Sequence, residues 1–167
     1  MTEIRKATKE DLPSILIIYR NARTFMKEHG NPDQWGESYP DRDTVESDIA
    51  QDQLYVLEEA NTLLAVFVCT TDPEPAYENT GCSWHSDKPY AVVHRVASSG
   101  KRKGITKLIF DFAREKTGYI RIDTHKANVP MQNALTRYGF LPTGIVYYSR
   151  DGLKTSRIAF DFVGKSN

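Results

Sequence analysis

The chain has no surplus charge of either sign: 22 lysines and arginines stand against 22 aspartates and glutamates over 167 residues. Nucleic acid and anionic membrane surfaces are bound by clustered excess cations, so this balance gives no ground for expecting either partner. No apolar run approaches the ~20 residues that cross a bilayer. The opening residues Met1-Thr2-Glu3-Ile4-Arg5-Lys6 lack the apolar stretch of a secretory signal, so a cytoplasmic protein is expected. There are two cysteines, Cys69 and Cys82, without metal-type spacing. No metal centre is expected, and two reduced thiols are favoured over a disulfide. Repeats, low-complexity tracts and linkers are also missing, so residues 1–167 read as one domain. Neither G-x-x-x-x-G-K-[ST] nor G-x-G-x-x-G occurs, which removes the common nucleotide loops.

What is present is a clear alternation of elements. Thr8-Lys9-Glu10-Asp11 resembles a capping segment, and the apolar spacing behind Pro13 predicts a helix over 11–28, closed near Gly30. A loop with proline, glycine and aromatics follows over 31–40, then a helix over 42–51. Strands are expected at 54–58 and 63–69, joined at Ala60-Asn61. A long loop, 71–88, carries Tyr77, Cys82, Trp84 and His85. The strand Tyr90–Ser98 leads through Gly100-Lys101-Arg102-Lys103-Gly104 into a helix striped by Ile105, Leu108, Ile109 and Phe112. Tyr119–Thr124 is a strand. Pro130 opens a helix that Gly139 stops, and strands at 140–148 and 155–162 flank the turn Arg150-Asp151-Gly152. With a short first strand, the order β-α-α-β-β-β-α-β-α-β-β describes an α/β fold. It has a mixed sheet of about six to seven strands flanked by about four helices.

The segment at 90–106 carries the chemistry. A helix starts directly after a short basic loop, and its first N–H groups and dipole suit a phosphate or pyrophosphate. Gly104 lets the phosphate approach the backbone. Taken alone, the segment reads equally well as an ordinary basic loop. Lys101-Arg102-Lys103-Gly104-Ile105-Thr106 resembles the acetyl-CoA pyrophosphate loop of the GNAT acetyltransferases, R/Q-x-x-G-x-G/A. Lys101 replaces Arg or Gln and Thr106 replaces Gly or Ala. The stretches Tyr90–Ser98 and Asp123-Thr124-His125 also resemble a bacterial subgroup of that superfamily with unknown acceptor.

The resemblance implies a GNAT fold over nearly the whole chain and acetyl-CoA as co-substrate. It implies that Val96, Ala97 and Ser98 offer backbone groups to the pantetheine arm and that Asn128 and Met131 lie against the cofactor. It further implies an N-acetyltransferase in which a primary amine of a small or amino-acid-like molecule attacks the thioester directly. Many members carry a tyrosine four residues before a Gly-Phe pair to protonate the departing thiolate. Leu135 holds that position before Gly139-Phe140 here, and Tyr138 is nearby. The missing tyrosine keeps open a second class, a CoA-binding sensor or regulatory module without turnover.

Three residues are candidates for proton transfer. Histidine is the side chain whose charge changes near neutrality, and His94, by alternation, shares a face with Tyr90 and Val96; a hydrogen-bonded core histidine reads equally well. His125 can pair with Asp123 two residues away, or simply order the loop before the last helix. On the acceptor side, Trp35, Tyr39, Tyr77 and Trp84, with nearby carboxylates, could hold a cationic amine; each alone can equally be a cover for the core. A homodimer stays open.

Overall fold

The computed structural model describes residues 1–164. Its strands are β1 (Thr2–Lys6), β2 (Leu54–Glu59), β3 (Thr62–Thr70), β4 (Ala91–Ser98), β5 (Tyr119–Thr124), β6 (Leu141–Arg150) and β7 (Leu153–Val163). Its helices are α1 (Leu12–Glu28), α2 (Arg42–Ala50), α3 (Ile105–Thr117) and α4 (Val129–Tyr138). The strand order is β1-β2-β3-β4-β5-β7-β6. β4 runs parallel to β5, whereas β1–β2, β2–β3, β5–β7 and β6–β7 are antiparallel, so the sheet is mixed. The expected element order is met in full. The chain divides into two compact units, one of Met1–Cys69 with His94–Ile105, the other of Thr70–Val93 with the residues from Thr106 on.

In the first unit, Pro13 sits in the opening turn of α1, where its missing N–H costs nothing. Leu12, Ile15, Ile18 and Tyr19 recur at helical spacing and are buried. Asp41 caps α2 by accepting from the Thr44 N–H at 2.9 Å. These residues close a core with Trp35, Val45, Leu54, Val56, Val66, Val68 and Ala97. The β2–β3 hairpin turns on Ala60 and Asn61, both at positive φ.

In the second unit, α4 opens on Asn128, whose Oδ1 accepts from the Met131 N–H at 3.2 Å. It ends at Gly139 with φ +116°, a left-handed stop that glycine adopts freely. A core of Tyr77, Tyr90, Val92, Tyr119, Val146 and Ala159 includes Tyr77 from the long loop. That loop is therefore folded into the unit through its aromatic side chains, and it contains one 3-10 turn at Pro75–Tyr77.

Candidate active site

β4 is recorded as pairing with β5 at Ala91↔Ile120 and Val92↔Arg121, two residues of a strand of eight. Beyond them, Arg95 takes φ +48°. A non-glycine residue there costs about 1–3 kcal/mol and survives only where its surroundings fix it. The first unit supplies the fixing groups. Arg95 donates to both oxygens of Asp48, at 2.8 and 2.7 Å, and to the Tyr39 hydroxyl at 3.0 Å. Its carbonyl accepts from the Tyr19 hydroxyl at 2.8 Å. Burial by itself would lower the Arg95 pKa, but the Asp48 hydrogen bond together with the electrostatic pull of Tyr39, Asp48 and Tyr19 outweighs it and raises the pKa. The bulge also corrects the simple alternation expected for this strand: His94, Arg95 and Val96 are all half-buried, rather than pointing alternately in and out. A left-handed residue inside a strand interrupts the plain two-residue alternation of faces.

Past the bulge, Ala97 is buried and Ser98 is exposed. The loop then folds on its own hydroxyls. Ser98 Oγ accepts from the Gly100 N–H at 3.1 Å and Ser99 Oγ from the Lys101 N–H at 3.4 Å. Gly104 has φ +79°, and a Cβ built there would meet nothing within 4 Å. The backbone conformation thus favours glycine while the space beside it is open, as close approach by a ligand requires. Ile105 begins α3 and is buried, and Thr106 follows in its first turn. The loop cations are not equivalent. Arg102 Nη1 donates to Glu59 Oε1 at 3.0 Å and to Thr2 Oγ1, so it is tied to β1 and β2. Lys101 and Lys103 are exposed and make no ion pair among the described residues.

The second unit gathers the remaining candidates around carboxylates. The Tyr90 hydroxyl donates to Glu78 Oε1 at 2.7 Å and accepts from the Glu74 N–H at 3.1 Å. Burial, reinforced by the Glu78 hydrogen bond, raises its pKa. Tyr77, 1% exposed, and Tyr148 both donate to Asp123 Oδ2 at 2.6 Å. Asp123 Oδ2 is thus shared by two tyrosines. His125 Nδ1 accepts from the Ala127 N–H at 3.0 Å, and its carbonyl accepts from the Asn128 N–H at 2.9 Å. An accepting Nδ1 places the proton on Nε2 of a neutral ring.

The acceptor residues are also differently placed from what their composition suggested. The face of Trp84 is covered by the chain's own Arg121, 4.1 Å from the ring centroid, and Arg121 also lies 4.3 Å from the ring of Tyr90. Trp35, 7% exposed, packs edge-on to Tyr19 in the core of the first unit. Tyr39 presents its hydroxyl to Arg95. In this structure Trp84 and Tyr39 contact arginines of the chain and Trp35 packs in the core.

Leu135 is fully buried, so the expected register of α4 stands and the position is a packing one. Tyr138 is half-buried. Its hydroxyl donates to Asp111 Oδ1 at 2.7 Å, and its pKa is pushed up to about 12, by burial first and then by Asp111. The residues that the sequence reading overlooked are Asp48, Arg121 and Asp161. Each left a signal: Asp48 interrupts the inward stripe of Val45 and Ile49 on α2, and Arg121 alternates with buried isoleucines in β5. Asp161 occupies β7 between Phe160 and Phe162; it accepts from the His85 ring at 2.7 Å and the Tyr119 hydroxyl at 2.8 Å.

No protein-family model matches the chain, and no curated protein does. Solved structures do. A GNAT-family acetyltransferase from Streptococcus agalactiae superposes with a TM-score of 0.85 at 26% identity, over 99% of this chain and 96% of that one. A Staphylococcus aureus protein described as an acetyltransferase matches with a TM-score of 0.69 at 26% identity, over 96% and 97% of the two chains. A Listeria monocytogenes GNAT acetyltransferase shares the fold, with a TM-score of 0.69 at 19% identity over 96% and 94%. The fold is therefore that of the GNAT acetyltransferases. The chain is similar over nearly its whole length to these bacterial acetyltransferases. Among the described residues no helix is long and apolar enough to cross a membrane, and no group of three or more metal-ligating side chains occurs.

Proposed function

We propose that residues 1–167 form one GNAT domain that transfers the acetyl group of acetyl-CoA to a primary amine of a small or amino-acid-like molecule. The observation that carries this reading is the combination at β4: a bulge fixed by four hydrogen bonds at Arg95, followed by an open left-handed Gly104 at the start of α3. Backbone groups at Val96, Ala97 and Ser98 would take the pantetheine arm. The loop from Lys101 to Gly104, with the first N–H groups of α3 at Ile105 and Thr106, would take the pyrophosphate. Asn128 and Met131 complete the cofactor residues of this reading.

In the reaction the amine lone pair attacks the thioester carbonyl, the C–N bond forms, and the tetrahedral intermediate collapses with cleavage of the C–S bond. The amine loses one proton and the CoA thiolate gains one. An alkylammonium has pKa near 10, so at neutral pH well under ~1% is free amine, and help with deprotonation is worth about 10²–10⁴-fold. His94, half-buried on β4, is the residue we assign to pass that proton on, with His125 and Tyr90 behind it. Tyr90 already donates to Glu78, and its raised pKa makes it a poorer base at neutral pH. For the thiolate, Leu135 has no proton to give, so solvent or another group supplies it.

The buried Leu135 also favours a second reading, a CoA-binding module without turnover. Thiol release from acetyl-CoA over a panel of amines separates the two. Amine-dependent release supports transfer; tight CoA binding with no release from any amine supports the sensor. For His94, the pH–rate profile of His94→Gln is compared with wild type after circular dichroism confirms folding. Loss of the acidic limb with a lower rate is expected, and a variant with the wild-type rate and limb removes His94 from the mechanism.

A further inference from the structure

α1 uses one face for the core and leaves the flank beside it for something else. Leu16, Ile17, Arg20 and Arg23 lie on that flank and, with Glu37, Ser38 and the stretch 40–42, line a pocket of about 360 Å³. That volume is at the lower end of the ~300–1,000 Å³ common for small-molecule sites. Its apolar wall is Leu16, Ile17 and Pro40. It contains none of the residues assigned above to acetyl-CoA or to proton transfer.

The charges around it do not cancel locally. Glu37 accepts from Lys27 Nζ at 3.3 Å, and Arg42 donates to Glu46 at 2.9 Å. Asp41 is occupied as the cap of α2, accepting from both the N–H and the hydroxyl of Thr44. Two arginines are left. The Arg20 side chain has no hydrogen bond or ion pair among the described residues. Arg23 reaches only the Pro40 carbonyl, at 3.3 Å. At i and i+3 of one helix the two are surface neighbours. Burial, and then the charge of Arg20, lowers the pKa of Arg23, and Glu37 offsets this only in part. Two guanidinium forks beside an apolar wall match a carboxylate or phosphate carried on a short hydrocarbon body.

We infer that this pocket binds a small organic anion, its carboxylate or phosphate held by Arg20 and Arg23 and its alkyl body laid on Leu16, Ile17 and Pro40. The inference rests on none of the residues assigned to acetyl-CoA or to proton transfer, so it stands whether or not that reaction is confirmed.

The test is calorimetric titration of the full chain at low salt with butyrate, butyl phosphate, inorganic phosphate and neutral butanol, with and without saturating CoA. Saturable binding of butyrate or butyl phosphate, absent for butanol and unaffected by CoA, is expected. A preference for butyrate identifies a carboxylate ligand, and one for butyl phosphate a phosphorylated ligand. Inorganic phosphate should bind more weakly than butyl phosphate, because it leaves the apolar wall bare. Arg20→Gln should weaken binding roughly 10-fold or more through the lost charge-assisted hydrogen bonds. Arg20 is exposed, so that variant should melt at the wild-type temperature. Arg23→Lys, which keeps the charge and loses the fork, should weaken it less. No saturable anion binding, equal binding of butanol, displacement by CoA, or an unchanged affinity in Arg20→Gln would each overturn the assignment.

Discussion

The two units hold their buried polar groups by different means. In the first, an ionic pair fixes the bulge of β4: Arg95 on Asp48, with side chains 18% and 4% exposed. In the second, tyrosine hydroxyls do the work: Tyr77 and Tyr148 on Asp123, Tyr119 on Asp161, Tyr90 on Glu78. An ion pair withdrawn from water depends on both partners, because either one alone is a buried charge. A carboxylate fed by neutral hydroxyls is more forgiving, since an amide can accept the same hydrogen bonds. The first unit thus rests a strained backbone mainly on one ion pair with two tyrosine hydroxyls beside it, while the second spreads its polar contacts over several rings.

The largest expected effect is at the ion pair. Asp48→Asn leaves Arg95 charged without its counterion and should cost about 3–5 kcal/mol in urea unfolding. A cost under ~1 kcal/mol would mean that Tyr39 and solvent suffice and that the contrast between the units is false. Next comes the loop that the bulge serves. Gly104→Asp and Gly104→Asn bear the same left-handed backbone, which asparagine tolerates well. Only the aspartate repels a pyrophosphate, so its acetyl-CoA affinity should be lower by about 2 kcal/mol more than that of the asparagine variant. Equal affinities would detach the loop from the phosphates.

Asp123→Asn should cost only about 1–2 kcal/mol, because the amide oxygen still accepts from the tyrosines. A loss as large as at Asp48 would erase the distinction. The smallest effect is alkaline. Tyr119 is pushed up to about 12, by burial first with Asp161 adding to it, and Tyr138 likewise to about 12 by burial and Asp111. These groups bind their protons more tightly folded than unfolded, where the value is near 10. Their stabilisation is complete below pH ~10 and is lost as the pH rises toward 12. The melting temperature should fall across that window, and Tyr119→Phe should flatten the fall. A fall unchanged in Tyr119→Phe would assign it to other groups.

Much of this protein was legible in advance. The periodic stripes of α1, α3 and α4 and the turn residues Ala60-Asn61 and Asp151-Gly152 place every helix and strand within a few residues. Leu135 was readable as core from its spacing to Ala134 and Tyr138, and it is fully buried. The aromatic loop 71–88 was legible as ordered, though not as what it packs against. Trp84 invited a foreign cation because a tryptophan beside carboxylates fits one, and nothing local reveals that Arg121 occupies its face.

The sequence by itself determined the local elements and the open turn before α3, because periodicity, capping and glycine placement act over a few residues and need no distant partner. Tertiary structure alone decided where the charges go. Arg95 finds Asp48 across 47 positions, Tyr77 finds Asp123 across 46, and His85 finds Asp161 across 76. A side chain's partner is chosen by desolvation and reach in three dimensions, and buried ionic and hydroxyl pairs carry no periodic signature along the chain.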